Sequence, residues 1–231
     1  MPTDSSVRLN KYLAFQLGIS RREADILIEK SRVTIDGTAA ALGAQVDPGS
    51  AVILVDSKPL TERAHHTYLL FHKPVGYICS RRRQGEIETI YSLLPEKYHH
   101  LKPVGRLDKD SSGALILTDD GDFAQEMTHP RYYKQKTYEV ELSRDLEPLH
   151  QQMINDFGVH LEDGPSKLTL TRMSDDERRS WQVVMSEGRN RQIRRTFAAL
   201  GYEVVKLHRT QFGNYALGDI KPGELHEFIM R

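Results

Sequence analysis

Residues 105 to 113 read Gly105-Arg106-Leu107-Asp108-Lys109-Asp110-Ser111-Ser112-Gly113. They set an arginine, two carboxylates and two hydroxyls between glycines, directly ahead of the apolar run Ala114-Leu115-Ile116-Leu117. Glycine lets a backbone turn sharply and come near a bound group, and a strand fixes where such a loop sits. Asp108, close to Arg106, is the residue best placed to act as a nucleophile or a base without a metal or cofactor. The same composition also suits a polar turn whose Asp and Ser side chains bond their own backbone, and spacing alone does not separate the two.

Two further segments narrow the choice. Lys136-Thr137-Tyr138 opens an alternating strand, and Glu187-Gly188-Arg189-Asn190-Arg191-Gln192-Ile193-Arg194-Arg195 leads into a helix. Together with Gly-Arg-Leu-Asp and Asp-Ser-Ser-Gly, in this order, they resemble the motifs of the pseudouridine synthases of the RsuA and RluA type, from about Tyr68 to the C-terminus. Three motifs in order are far more specific than any one. The resemblance implies that Asp108, Tyr138 and Arg194 are catalytic, with Arg194 pairing with Asp108. It further implies that Arg106, Leu107, Arg191 and Leu207 bind substrate. The family commonly has Asn where His72 stands and Met where Thr196 stands.

The elements that must position these residues follow from periodicity. Leu9, Tyr12, Leu13 and Leu17 predict a helix ending near Gly18. Ser20 and Glu23 form a capping box for a second helix over residues 21–30, with Ala24, Leu27 and Ile28 on one face. Strands are expected at Val33 to Ile35 and Ala51 to Val55. Arg8, Lys11, Arg21 and Arg22 lie near the helix ends, where they could grip a phosphate backbone. Arg8-Leu9-Asn10-Lys11, Ser20-Arg21-Arg22-Glu23-Ala24 and Val33-Thr34-Ile35-Asp36-Gly37 resemble the RNA-binding domain of the ribosomal-protein-S-four type, with Asn10 where Asp is commoner. Residues 1–6 carry little that packs, and polar residues 57–66 read as a linker.

Downstream, strands are expected over 68–72, 114–117, 137–142, 168–172, 181–185 and 204–209, the last being the final core strand. Helices are expected over 90–94, 123–129, 146–157 and 191–200. Trp181 reads as core. Asp119-Asp120-Gly121-Asp122 lacks the alternating ligands and closing glutamate of a calcium loop and reads as a turn with a helix N-cap. Arg81-Arg82-Arg83 is either a clamp on RNA phosphates or a solvated loop. His65, His66, His72, His99 and His100 match no metal-ligand spacing.

With 231 residues, 39% hydrophobic and 28% charged, the chain suits one large or two modest soluble domains. No apolar stretch approaches the roughly 20 residues of a membrane span, and the N-terminus lacks a signal pattern, so a cytoplasmic location is expected. A lone Cys79 fits a reducing compartment. The balance of 32 Lys+Arg against 32 Asp+Glu argues against coating nucleic acid by charge alone, though the basic residues are clustered.

The expected class is α+β. A small α/β RNA-binding domain over 7–60 precedes a catalytic domain over 66–231 built on a mostly antiparallel mixed sheet. The resemblance implies isomerisation of a uridine in ribosomal RNA by base flipping and aspartate catalysis. It implies no cofactor and no metal, with ribosomal RNA or a pre-ribosomal particle as partner. Nothing demands a membrane or more than a monomer. The competing reading is a non-catalytic RNA-binding or ribosome-assembly factor, and a weaker one is a glycosidase using Asp108 and Asp110.

Overall fold

The computed structural model describes residues 6–60, 63 and 65–230. Backbone packing divides the chain into two compact units, Met1–Thr67 and Tyr68–Arg231. The expected free N-terminal stretch falls largely on residues 1–5, outside the described residues.

In the first unit, helix α1 (Leu9–Leu17) ends where Gly18 takes a left-handed φ of 67°. Helix α2 (Arg21–Glu29) begins with the capping box: the Glu23 amide donates to Ser20 Oγ at 3.1 Å, and the Ser20 amide to Glu23 Oε2 at 2.7 Å. Leu9, Leu13, Ala24 and Ile28 pack with Val33, Val46 and Ile53 into a small core. Four short strands pair in the order Thr38–Ala39, Val33–Ile35, Ile53–Val55, Lys58–Pro59. The expected linker therefore starts too early, because Lys58–Pro59 closes a hairpin on Ile53–Val55. Its residues 61, 62 and 64 lie outside the described residues.

Among the described residues, the second unit is built on one nine-stranded sheet, whose strands are numbered here in chain order. They are β1 (Tyr68–Lys73), β2 (Lys102–Pro103), β3 (Ser112–Thr118), β4 (Lys136–Leu142), β5 (Thr169–Arg172), β6 (Ser180–Met185), β7 (Val204–Phe212), β8 (Tyr215–Ala216) and β9 (Leu225–Glu227). The main order is β5-β6-β4-β7-β3-β1-β9, with β2 beside β3 and β8 beside β7. All pairings are antiparallel except β7 with β3, which is parallel over His208↔Ser112 and Arg209↔Gly113. The fold is α+β with a mixed, mostly antiparallel sheet.

The central strands are buried on both faces, which is why they read as unbroken apolar runs. In β1 and β3, Leu69, Phe71, Leu115 and Leu117 join a large core with Trp181, Ile193 and Phe197. Leu70, Ala114 and Ile116 face the opposite side with Phe123, Met127 and Phe212. Helix α3 (Gly121–Thr128) covers that second face. Its start is capped by Asp120, whose Oδ1 accepts from the amides of Asp122 and Phe123.

Three expectations change. The helix expected over 146–157 begins at Pro148 as α4 (Pro148–Gln152) and widens into a π-turn, Met153–Phe157, before Gly158. The helix expected over 90–94 is a single 3₁₀ turn, Ile90–Ser92. The strand expected to be last runs on to Phe212, and β8 and β9 follow it.

Candidate active site

The loop between β2 and β3 is set by close backbone approach. Gly113 has φ +112°, and a Cβ there would sit 2.1 Å from the Arg209 carbonyl oxygen and 2.6 Å from its nitrogen. Only glycine allows β3 to lie this near β7. Within the loop, each backbone carbonyl from Leu107 to Ser111 accepts a hydrogen bond. Leu107 O accepts from Cys79 Sγ at 3.4 Å and Lys109 O from the Gly76 amide at 2.7 Å. Asp108 O and Ser111 O accept from Lys73 Nζ at 3.0 and 2.7 Å, and Asp110 O from Arg194 Nη2 at 2.8 Å. Lys73 is fully buried, and its burial lowers its pKa to about 8.

The loop opens onto a cavity of about 480 Å³ lined by Arg106, Leu107, Asp108, Tyr138, Arg191 and Leu207, among others. Tyr138 is 7% exposed on β4, just past a bulge at Thr137/Tyr138 that re-aims it. Its hydroxyl has no hydrogen-bonding protein partner among the described residues. Leu207 is buried on β7. The Asp108 carboxylate is partly exposed, and its ion-pair partner among the described residues is Arg191, at 3.6 Å. Arg191 is the N-cap of helix α5 (Gln192–Ala198) and holds a left-handed φ of 46°, a conformation a non-glycine residue keeps only where its surroundings impose it.

One expectation is corrected here. Arg194 is brought to the loop, but its ion pair goes to Asp110, with Nε 3.3 Å from Oδ2, rather than to Asp108. Its other donors reach Asp110 O and, at 2.6 Å, Val204 O. Asp110 is also bound bidentately by Arg191 at 3.1 Å. Burial pushes the Asp110 carboxyl up, but the Arg191 hydrogen bonds and the Arg194 charge outweigh it and hold the group below the usual carboxylate range. The physical reason for the exchange is sequence offset: Asp110 faces the first turn of α5, while Asp108 faces the cavity.

A family model described as RNA pseudouridylate synthase matches residues 67–199. The chain belongs to this family. It is 35% identical to ribosomal small subunit pseudouridine synthase A of Yersinia pestis, over 94% of this chain and 93% of the relative. It is 34% identical to ribosomal large subunit pseudouridine synthase B of Bacillus subtilis, over 95% and 91%. A crystal structure of a pseudouridylate synthase superposes with a TM-score of 0.68 at 30% identity, covering 96% of both chains. The protein is an RNA pseudouridine synthase.

Two residues lining the cavity were not singled out by sequence reasoning. Lys136 lines the cavity, and burial, helped by the Arg209 charge, lowers its pKa to about 8. Arg209 also lines the cavity and is 2% exposed, donating through Nε to Ala114 O at 2.7 Å. One of its Nη atoms is buried without a protein partner. A buried guanidinium on a core strand was the available signal for Arg209. Lys73, at the end of the apolar strand β1, offered a similar signal.

His72 Nδ1 lies 2.6 Å from Ile220 O, at the approach to β9. Thr196 is buried and bonds Ser166 Oγ at 2.7 Å. In the basic loop, Arg81 is committed to His99 O and His100 O, and Arg83 to Glu88. Two of the three arginines thus have partners within the chain. In the first unit Arg8, Arg21 and Arg22 are exposed and Lys11 half-buried; Arg21 donates to Asn10 Oδ1 at 3.1 Å. Among the described residues no helix is long and apolar enough to cross a membrane, and no group of His, Cys, Asp or Glu is placed to hold a metal ion.

Proposed function

We propose that this synthase converts a uridine of ribosomal RNA to pseudouridine, with Asp108 as the catalytic carboxylate. The observation that carries the reading is the Asp108 side chain at a cavity wall, with the backbone carbonyls of Leu107 to Ser111 all held and its carboxylate left accessible. The names of the relatives, one acting on each ribosomal subunit, support ribosomal RNA as the substrate class.

In the reaction the bond from ribose C1′ to uracil N1 breaks, the ring turns while held, and C1′ bonds to C5. The proton on C5 leaves and N1 gains one, so the product is an isomer and no oxidant or imported group is needed. A base inside a helix cannot reach Asp108, so the nucleotide is flipped out at a cost of a few kcal/mol. Tyr138 and Leu207 form the faces that receive the ring, and Asp108 serves as nucleophile or base. Arg191 orients Asp108, while Arg194 acts one step back by holding Asp110 and the loop. Arg106, exposed and without a side-chain partner among the described residues, fills the gap left by the flipped base or binds a phosphate. The first unit, through Arg8, Lys11, Arg21 and Arg22, binds structured RNA.

The test uses ribosomal RNA transcripts carrying tritium at uridine C5. Release by the wild type and none by Asp108→Ala supports the enzyme. No release from either subunit's RNA or from precursor particles favours a non-catalytic binding factor.

A further inference from the structure

The segment between α3 and β4 runs along the cavity rim: Thr128 and Pro130 line the cavity at one end and Lys136 at the other. Between them lies a 3₁₀ turn, Pro130–Tyr132, followed by Tyr133. The turn is braced by its own side chains. Arg131 stacks 4.5 Å from the Tyr132 ring centroid and bonds its hydroxyl, His129 packs edge-on against Tyr132, and Lys134 pairs with Glu126 at 2.6 Å. Tyr133 is the exception. It is 75% exposed, its side chain has no partner among the described residues, and its backbone is left-handed, at φ 48° and ψ 35°.

A turn alone would be served by Gly or Asn, which adopt this conformation with little strain. A bulky aromatic held there by a braced turn, projecting into water between Arg131 and Lys134, combines three unfavourable choices for a free surface. It suits a ligand with flat apolar faces and negative charge. Unpaired bases on a phosphate chain have both properties, and exposed aromatics with guanidinium neighbours are how proteins hold them.

We propose that Tyr133 stacks on a base flanking the extruded uridine, with the Arg131 charge beside the adjoining phosphates, so that this rim fixes the RNA strand while the target enters the cavity. The proposal rests on the reading of the cavity as the uridine site, and it makes Tyr133 a positioning residue for the strand.

The decisive substitution is Tyr133→Gly, which relieves the backbone strain while removing the ring. In tritium release from labelled ribosomal RNA transcripts, it is expected to raise KM about tenfold, within the range of one base–aromatic stack, with kcat unchanged. Thermal stability should be equal or higher. Tyr133→Phe keeps the ring and should stay within about twofold of wild type, since stacking needs only the aromatic face. A photo-cross-linking p-benzoylphenylalanine at position 133 should attach to RNA next to the converted uridine. An unchanged KM in Tyr133→Gly, or a cross-link remote from that uridine, overturns the proposal. A wild type that releases no tritium overturns the proposed substrate instead, and the presence or absence of a cross-link to RNA then decides the stacking surface by itself.

Discussion

Arg194 is coupled to Asp110 and not to Asp108, and this can be measured as a free energy. At the 3.3 Å separation of Arg194 Nε and Asp110 Oδ2, two unit charges attract by about 5 kcal/mol at an effective dielectric of about 20 and about 1 kcal/mol in bulk water. The Arg194 side chain is 13% exposed but that of Asp110 is 47% exposed, so the pair lies toward the screened limit. We expect a coupling of ~1–2 kcal/mol from a double-mutant cycle of Arg194→Met and Asp110→Asn. The corresponding cycle with Asp108→Asn should give less than about 0.5 kcal/mol. Arg194→Met alone should destabilise by about 3–5 kcal/mol, because it also strips a charged donor from Val204 O and Asp110 O. Trp181 is the chain's one tryptophan and is fully buried in the second unit, so its fluorescence during urea unfolding reports on that unit. A larger coupling with Asp108 than with Asp110 would refute the assignment.

Gly113→Ala should cost about 3 kcal/mol or more, summing a glycine-only φ with forced separation of β3 from β7; an unchanged urea midpoint would contradict the close approach. Lysine burial gives a pH signature. Lys73 and Lys136 both have pKa values lowered to about 8 from 10.5, so between these values the unfolded chain binds more protons than the folded one, and stability from these groups rises with pH. Below about 8 both states are protonated and the slope from these lysines vanishes. Lys136→Met should roughly halve the slope they contribute between pH 8 and 10, followed by urea midpoints; an unaltered slope would show that Lys136 is ordinarily solvated.

Local rules reached far into this fold. The Ser20–Glu23 box, the Gly18 stop and the Asp120 cap were legible because each is decided within a few residues. The buried runs at Leu69 to Phe71 and Ala114 to Leu117 were legible because the strands between two covered faces need apolar residues throughout. What escaped is decided at long range. Leu225–Glu227 carries one apolar residue in three and is a strand because the β1 edge is there to pair with it. The hairpin of Val159–Leu161 and Gly164–Ser166 is short, and Asp163 in its turn binds Arg189 and Arg195, ligation no spacing announces. The motifs brought out Asp108 and Tyr138, which both line the cavity, whereas the choice between Asp108 and Asp110 as partner of Arg194 depends on the angle at which α5 meets the loop.

With Asp108 as the proposed catalytic carboxylate, that choice bears on how the site works. A carboxylate locked in a bidentate pair has its lone pairs occupied and must break those bonds to react, while a free one on a mobile loop gives up the advantage of placement. Here the two demands are divided between neighbouring residues. Asp110 takes the bidentate pairing with Arg191 and the ion pair with Arg194, and Lys73, Cys79 and the Gly76 amide take the carbonyls of Leu107, Asp108, Lys109 and Ser111, so the backbone of Asp108 is fixed without using its side chain. Among the described residues the Asp108 side chain keeps only the 3.6 Å contact to Arg191, a guanidinium already anchored on Asp110 and therefore unable to follow Asp108 closely. An Asp110→Asn substitution would release both arginines, and Arg191 could then close on Asp108. The expected result is a loss of kcat exceeding any change in KM, since the carboxylate would still be in place but occupied. A variant that binds RNA more weakly yet turns over at the wild-type rate would show that Asp110 serves the strand and not the reacting carboxylate.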